Sequence, residues 1–243
     1  MTLLSPADRL IVALDVATVS DAQRIVGAVG ESATTYKVGK QLFVAEGPRA
    51  VRDLLSSGRK VFLDLKFHDI PNTVAGAVKA AADLGVTMLT VHAAGGSKMM
   101  AAAVAAAEAA AASAPNPKAK PLVLAVTVLT SMGEEDLAEI GVSGRPLDQV
   151  LRLAALARAA GCGGVVASPA EVAELRRELG EGFAIVTPGV RPAGAAQGDQ
   201  ARVATPAQAI KAGATYLVVG RPITEAADPG KAAKEILAEI AGA

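Results

Sequence analysis

A (β/α)8 barrel of eight parallel strands, filling residues 1–243 as a single domain, is the fold the sequence predicts, on three observations. Eight short runs rich in Val, Ile and Leu alternate with longer stretches able to form helices, the pattern of βαβ units around a parallel sheet. The runs are almost continuously apolar, as strands covered on both faces are. No Pro- or Ser-rich linker divides the chain, and its 243 residues match the roughly 250 that such a barrel takes. An open doubly wound sheet is the alternative, but nothing resembling GxGxxG follows the first strand.

The first run, RLIVALDV (9–16), closes on Asp15. SDAQ (20–23) then sets Ser three residues before Gln, a capping box that predicts a helix start. Gly30, Glu31 and Ser32 read as that helix's end rather than as a phosphate loop. TYKVGK (35–40) carries Lys37, and KVFLDLKF (60–67) carries Asp64 and Lys66. Strand side chains alternate, so Asp64 and Lys66 share the face toward the barrel mouth while Leu63, Leu65 and Phe67 face the helices. Asp69 lies in the loop just before Pro71 opens a helix.

MLTVHA (88–93) ends near His92, read as a packed residue, and the loop residue His68 reads as bonded to backbone. MMAAAVAAAEAAAASA (99–114) is apolar, but Glu108 interrupts it and alanine is weakly hydrophobic, which predicts a surface helix and no membrane span. LVLAVTVL (122–129) runs into Thr130 and Ser131, and SMGE offers another capping box. GVVAS (164–168), FAIVTPGV (183–190) and YLVVGRP (216–222) complete the eight. SPAE (168–171) and TPAQ (205–208) are capping boxes with Pro at the first helical position, and DPGK (228–231) opens the last helix in a similar way.

Composition narrows the function. Lys plus Arg and Asp plus Glu number 24 each, so bulk charge favours neither nucleic acid nor an acidic membrane surface, and any basic chemistry is local. The single cysteine, Cys162, rules out an intramolecular disulfide and fits a reducing cytoplasm; it reads as a small buried hydrophobe. MTLLSPADRL has no basic stretch followed by a long apolar one, so no secretory signal is expected.

Chemistry in such barrels sits at the C-terminal ends of the strands, and the polar residues gather there. Asp15, Lys37, Asp64, Lys66 and nearby Asp69 bring alternating charges to one side of the mouth. Burying several charges for stability alone is costly, and apolar packing often serves as well. A lysine held among carboxylates is instead poised for acid–base and electrostatic work. Arg191 and Arg221 close strands seven and eight, where phosphate commonly binds in this fold. Gly220 lets backbone approach an anion, Gln200 offers a hydrogen bond to a phosphate oxygen, and residues 191–204 read as a loop that folds over a ligand. No His/Cys/Glu cluster has metal-ligand spacing, and no GxSxG elbow occurs.

Together LDLKFHDIPNT, LD at the end of strand one, YKVG, LTS, TPGVR and VVGRPI resemble the orotidine 5′-phosphate decarboxylase family, in that family's order, from about Asp8 to Ile223. No expected motif residue is missing; the chain departs in its Ala-rich helices and in the replaceable residues of the lid. The resemblance implies decarboxylation of orotidine 5′-phosphate to UMP, with no metal and no organic cofactor. It implies Lys66 as proton donor to C6, Asp64 beside the departing carboxylate, Lys37 and Asp15 at the ribose, and Thr130 and Ser131 at the pyrimidine. Arg191, Gln200, Gly220 and Arg221 correspond to the phosphate grip and lid. It also implies a homodimer in which Asp69 and Thr73 reach the partner's site. Two alternatives stand beside it. One is a Mg2+-dependent sugar-phosphate decarboxylase or synthase of the same superfamily, which carries an acidic residue where this chain has Lys37. The other is a catalytically silent barrel that binds a nucleotide.

Overall fold

Strands β1 (Leu10–Leu14), β2 (Thr35–Gly39), β3 (Lys60–Phe67), β4 (Met88–His92), β5 (Leu122–Val126), β6 (Gly164–Val166), β7 (Ala184–Thr187) and β8 (Tyr216–Val219) pair in parallel, each with the next. β1 also pairs with β8, Ile11 opposite Val218, which closes the barrel. The computed structural model describes residues 4–113, 120–192 and 204–243. The expected strands are all present, and most stop short of the apolar run that predicts them. β5, for instance, ends at Val126 although the run continues to Leu129.

The alternation of side chains divides the core in two. Ile11, Ala13, Phe62, Met88, Leu124, Val186 and Val218 fill the barrel. Their outward neighbours, such as Leu10, Val12, Tyr36, Leu63, Leu89 and Leu217, join the larger cluster between sheet and helices. Burying each such side chain contributes about 1.5–3 kcal/mol before entropy is counted. Apolar residues on both faces explain why the strands read as continuous runs.

Helix starts follow the caps, with two exceptions. Thr205 accepts from Gln208 N–H at 3.2 Å while Gln208 accepts from Thr205 N–H at 3.0 Å, and Asp228 accepts from Lys231 N–H at 2.9 Å. At SPAE, Glu171 accepts from Ser168 N–H at 2.7 Å. The helix expected at Ser20 begins earlier, at Val19, because Thr18 caps it: its hydroxyl accepts from Asp21 N–H at 3.1 Å and donates to the Asp21 carboxylate at 2.7 Å. SMGE likewise gives way to Asp136, which accepts from Gly133 N–H at 2.7 Å, and the helix is Glu134–Glu139. Gly30–Ser32 forms a 3-10 turn that ends the preceding helix, as expected.

The Ala-rich helix, Gly96–Ser113, buries a stripe of Met100, Ala103, Val104, Ala107 and Ala110, and exposed Glu108 pairs with Lys120 at 2.8 Å. Among the described residues no helix is long and apolar enough to cross a membrane.

Candidate active site

At the C-terminal rim four charges form one chain across three strands. Lys37 Nζ lies 2.9 Å from Asp15 Oδ1 and 3.6 Å from Asp64 Oδ2. Lys66 Nζ donates to both oxygens of Asp64, each at 2.9 Å. The side chain of Asp64 is 12% exposed and that of Lys37 10%, whereas Asp15 is 57% exposed. Burial pulls the Asp64 carboxyl upward, but Lys37, Lys66 and the hydroxyl of Thr90 outweigh it and hold the group below the usual carboxylate range. Asp64 is therefore ionised between two ammonium groups.

Alternation alone does not produce this geometry. Leu63 pairs with Leu89 and Phe67 with Val91, so four steps along β3 span only two along β4. The slack is a bulge, and Lys66 within it has φ +54°, the one non-glycine residue at positive φ among the described residues. Such a backbone costs of order 1–3 kcal/mol and persists where its surroundings fix it. Here Thr90 fixes it. Its hydroxyl accepts the Lys66 N–H at 2.9 Å and donates to Asp64 Oδ1 at 3.0 Å. The bulge folds the lysine back over the carboxylate two residues earlier.

Above Phe62 and the other apolar residues of the barrel floor lies a cavity of about 490 Å³. Asp15, Lys37, Asp64 and Lys66 line it together with Thr130, Arg191, Gly220 and Arg221. Gly189, between β7 and Arg191, has φ +77°, a turn that suits glycine, and it lines the cavity beside Arg191. Arg191 N–H donates to Ala204 O at 3.0 Å, which ties together the two ends of the 191–204 segment. Gly220 caps the short helix Arg221–Thr224. The arrangement is one pocket whose wall carries both an acid–base array and two guanidinium groups.

Not every expected residue joins it. Asp69 and Thr73 are exposed and outside the cavity wall; the Asp69 carboxylate accepts from the N–H of Ile70 at 2.6 Å. Ser131 is exposed and is not in the cavity wall, in contrast to Thr130. Gln200 lies outside the described residues, as does most of the loop that contains it. Conversely, Thr90, Gly39, Thr224, Glu225 and His92 belong to the site region and were not picked out for it from the sequence. A threonine inside the apolar run MLTVH was the signal for Thr90. For Gly39 the reason is space: a Cβ there would lie 2.7 Å from Asp15 Oδ1 and 2.9 Å from Lys37 Nζ.

A second, more open cleft adjoins the array and is bordered by Lys40, Gln41, His92 and Leu129. Among the described residues no group of three or more His, Cys, Asp or Glu side chains could hold a metal ion.

Comparison with known proteins gives one family. The model of the "Orotidine 5'-phosphate decarboxylase / HUMPS family" matches residues 8–236. The orotidine 5′-phosphate decarboxylase of Vibrio cholerae is 53% identical over 228 residues, 94% of this chain and 96% of its own. That of Halorhodospira halophila is 54% identical over 235 residues, 97% of each. The crystal structure of orotidine 5′-phosphate decarboxylase from Lactobacillus acidophilus superposes with a TM-score of 0.85 at 40% identity, covering 96% of this chain and 99% of that one.

Proposed function

The chain belongs to the orotidine 5′-phosphate decarboxylase / HUMPS family, and from that premise we propose that it converts orotidine 5′-phosphate to UMP and CO2, without metal or organic cofactor. The observation that carries the reading is the Lys37–Asp64–Lys66 chain in the wall of a cavity that Arg191 and Arg221 also line. Loss of CO2 leaves an electron pair at C6 with no attached sink. An ammonium fixed beside that carbon stabilises the developing negative charge and then supplies the proton. Lys66 has that role. Asp64 orients Lys66 and faces the departing carboxylate, and Lys37 with Asp15 holds the ribose.

Thr130, with Ser131 beside it, meets the pyrimidine. Arg191 and Arg221, with Gln200 and the backbone at Gly220, bind the phosphate, and that remote binding energy orders the reacting end.

A second copy of the chain completes the site. The exposed Asp69 and Thr73 flank Ile70, an apolar residue 66% exposed, and Val44 beyond β2 is 83% exposed. Apolar surface of this kind, beside an open cleft at the charge array, suits a homodimer in which Asp69 and Thr73 enter the partner's pocket. The reading carries with it a cytoplasmic location, where the buried thiol of Cys162 stays reduced.

The Mg2+-dependent alternative is disfavoured by Lys37. Its ammonium stands against both carboxylates that a divalent ion needs there. Orotidine 5′-phosphate mixed with purified protein in excess EDTA is expected to lose absorbance as UMP forms. A folded protein that converts none of it refutes the reading.

Two substitutions test the two parts of the pocket. Arg221→Ala removes a charge-assisted contact worth about 2 kcal/mol, so KM for orotidine 5′-phosphate rises about 30-fold. The same change leaves the binding of a nucleoside without phosphate unaltered, which calorimetry checks. Gly39→Ala pushes a methyl group between Asp15 and Lys37. A displacement near 1 Å in the array lowers kcat/KM by about 10²-fold, measured in the same assay.

A further inference from the structure

Thr90 fixes the β3 bulge on one side, and the chain's two histidines meet on the other. Past the bulge β3 re-pairs with β4 at Phe67 and Val91. The next residues, His68 and His92, stand with ring centroids 5.3 Å apart at a 39° tilt. His68 rests on the turn before the Gly96–Ser113 helix, where a Cβ added at Gly95 would come within 3.2 Å of its Cδ2. His92, on the face of β4 that carries Thr90, borders the cleft at Lys66. Lys66 and Asp69 thus lie on a short segment held by Thr90 at one end and by the ring pair at the other.

We propose that His68 and His92 form a positioning pair that holds residues 66–69 in register, and that protonation of both rings releases this segment. The pair touches neither the bond that breaks nor the carbon that is protonated, so both are positioning residues. The surroundings oppose a second positive charge. Lys66 from β3 and Lys40 from the Lys40–Glu46 helix act on His92 as cations, with His68 itself, and Asp64 alone acts in the other sense. Gly95 and Met99 on the far side bring no charge to His68. Burial, then His68, Lys66 and Lys40, keep His92 below the ordinary histidine range. The neutral ring is the form present at neutral pH. Two adjacent imidazolium rings among two lysines repel, and the link between β4 and the 66–69 segment loosens as pH falls.

The inference concerns this segment itself; only its effect on turnover rests on the decarboxylase reading. His68 and His92 are the only histidines of the chain, so in tag-free protein the imidazole NMR signals report these two alone. The backbone amide signals of Lys66 and Asp69 are expected to shift with the midpoint of His92, which lies below the usual histidine value. His68→Asn is expected to raise that midpoint. His68→Phe keeps the ring contact without its charge, so the two amides lose the part of their acid shift that repulsion between the rings causes. His68→Ala removes the contact, and the amides shift at every pH.

For turnover, His68→Phe retains kcat/KM at neutral pH and loses the part of the acid limb that the pair causes. His68→Ala lowers kcat/KM by up to ~10²-fold throughout. Amides at 66–69 that ignore the imidazole titration, or a His68→Phe profile superimposable on the wild type, overturn the proposal. A wild-type protein that leaves orotidine 5′-phosphate unchanged refutes the activity, and the NMR arm still decides the pair.

Discussion

Replacing Lys66 with alanine is expected to lower kcat/KM for orotidine 5′-phosphate by at least ~10⁴-fold while UMP still binds. The size follows from two losses at one atom. A positioned general acid contributes roughly 10²–10⁴-fold, and one preorganised electrostatic partner about 10²–10³-fold. The two act as a unit, so they do not simply multiply. UMP has no carboxylate at C6 and, on the proposed assignment, keeps its phosphate contacts with Arg191 and Arg221, so calorimetry should find it bound.

The backbone supplies a control for Lys66→Ala. Residue 66 sits at φ +54°, where alanine is strained and glycine is not. Lys66→Gly is therefore expected to be the more stable of the two variants and equally inactive. Lys66→Arg keeps a positive charge that does not give up its proton, and it too is expected to fail. Near-normal turnover by Lys66→Ala removes Lys66 from the role of proton donor.

How far the site could be read from the sequence depends on the scale of the feature. The barrel was legible because its signals repeat eight times, and because an apolar run bounded by capping residues has one physical outcome. Asp15, Lys37, Asp64 and Lys66 were legible as a group because charge in an apolar run is costly and all four fall at strand ends. How Lys66 meets Asp64 was not legible. The i, i+2 rule puts both on one face, but the real contact needs a bulge and a positive φ, and lysine is not a residue that announces either.

Thr90 and Gly39 escaped for a related reason. Each acts on a neighbour in another strand, one through a hydroxyl and the other through a missing Cβ. Register between strands is set by the closed barrel and is not written in either run alone. Asp69 and Thr73 mark another boundary. Their exposure fits a role completed by a second chain, which periodicity within one chain does not encode.

Asp64→Asn is the substitution that separates two accounts of the array. Asparagine keeps the shape and an oxygen for the Thr90 hydroxyl, but it leaves Lys37 and Lys66 without the carboxylate between them. Two ammonium groups on side chains only 10% and 25% exposed then repel, and breaking such a set costs about 3 kcal/mol in stability. The folded-state pKa of Asp64 is depressed, so this contribution is present above the ordinary aspartate value of 3.8 and is lost as pH falls through the folded value. Urea melts should therefore show wild type and Asp64→Asn far apart at pH 7 and converging in strong acid.

In turnover, kcat should fall roughly 10²–10³-fold, since Lys66 loses the carboxylate charge and one of the two oxygens that aim it. The binding of orotidine 5′-phosphate decides between the accounts. If Asp64 worked chiefly by repelling the substrate carboxylate, removing its charge would tighten that binding as kcat fell. The two 2.9 Å bonds from Lys66 and the 3.0 Å bond from Thr90 point instead to a carboxylate that positions Lys66. The expected result is a lower kcat with binding unchanged or weaker. A clear gain in substrate affinity, absent for UMP, transfers the role of Asp64 from positioning to ground-state repulsion.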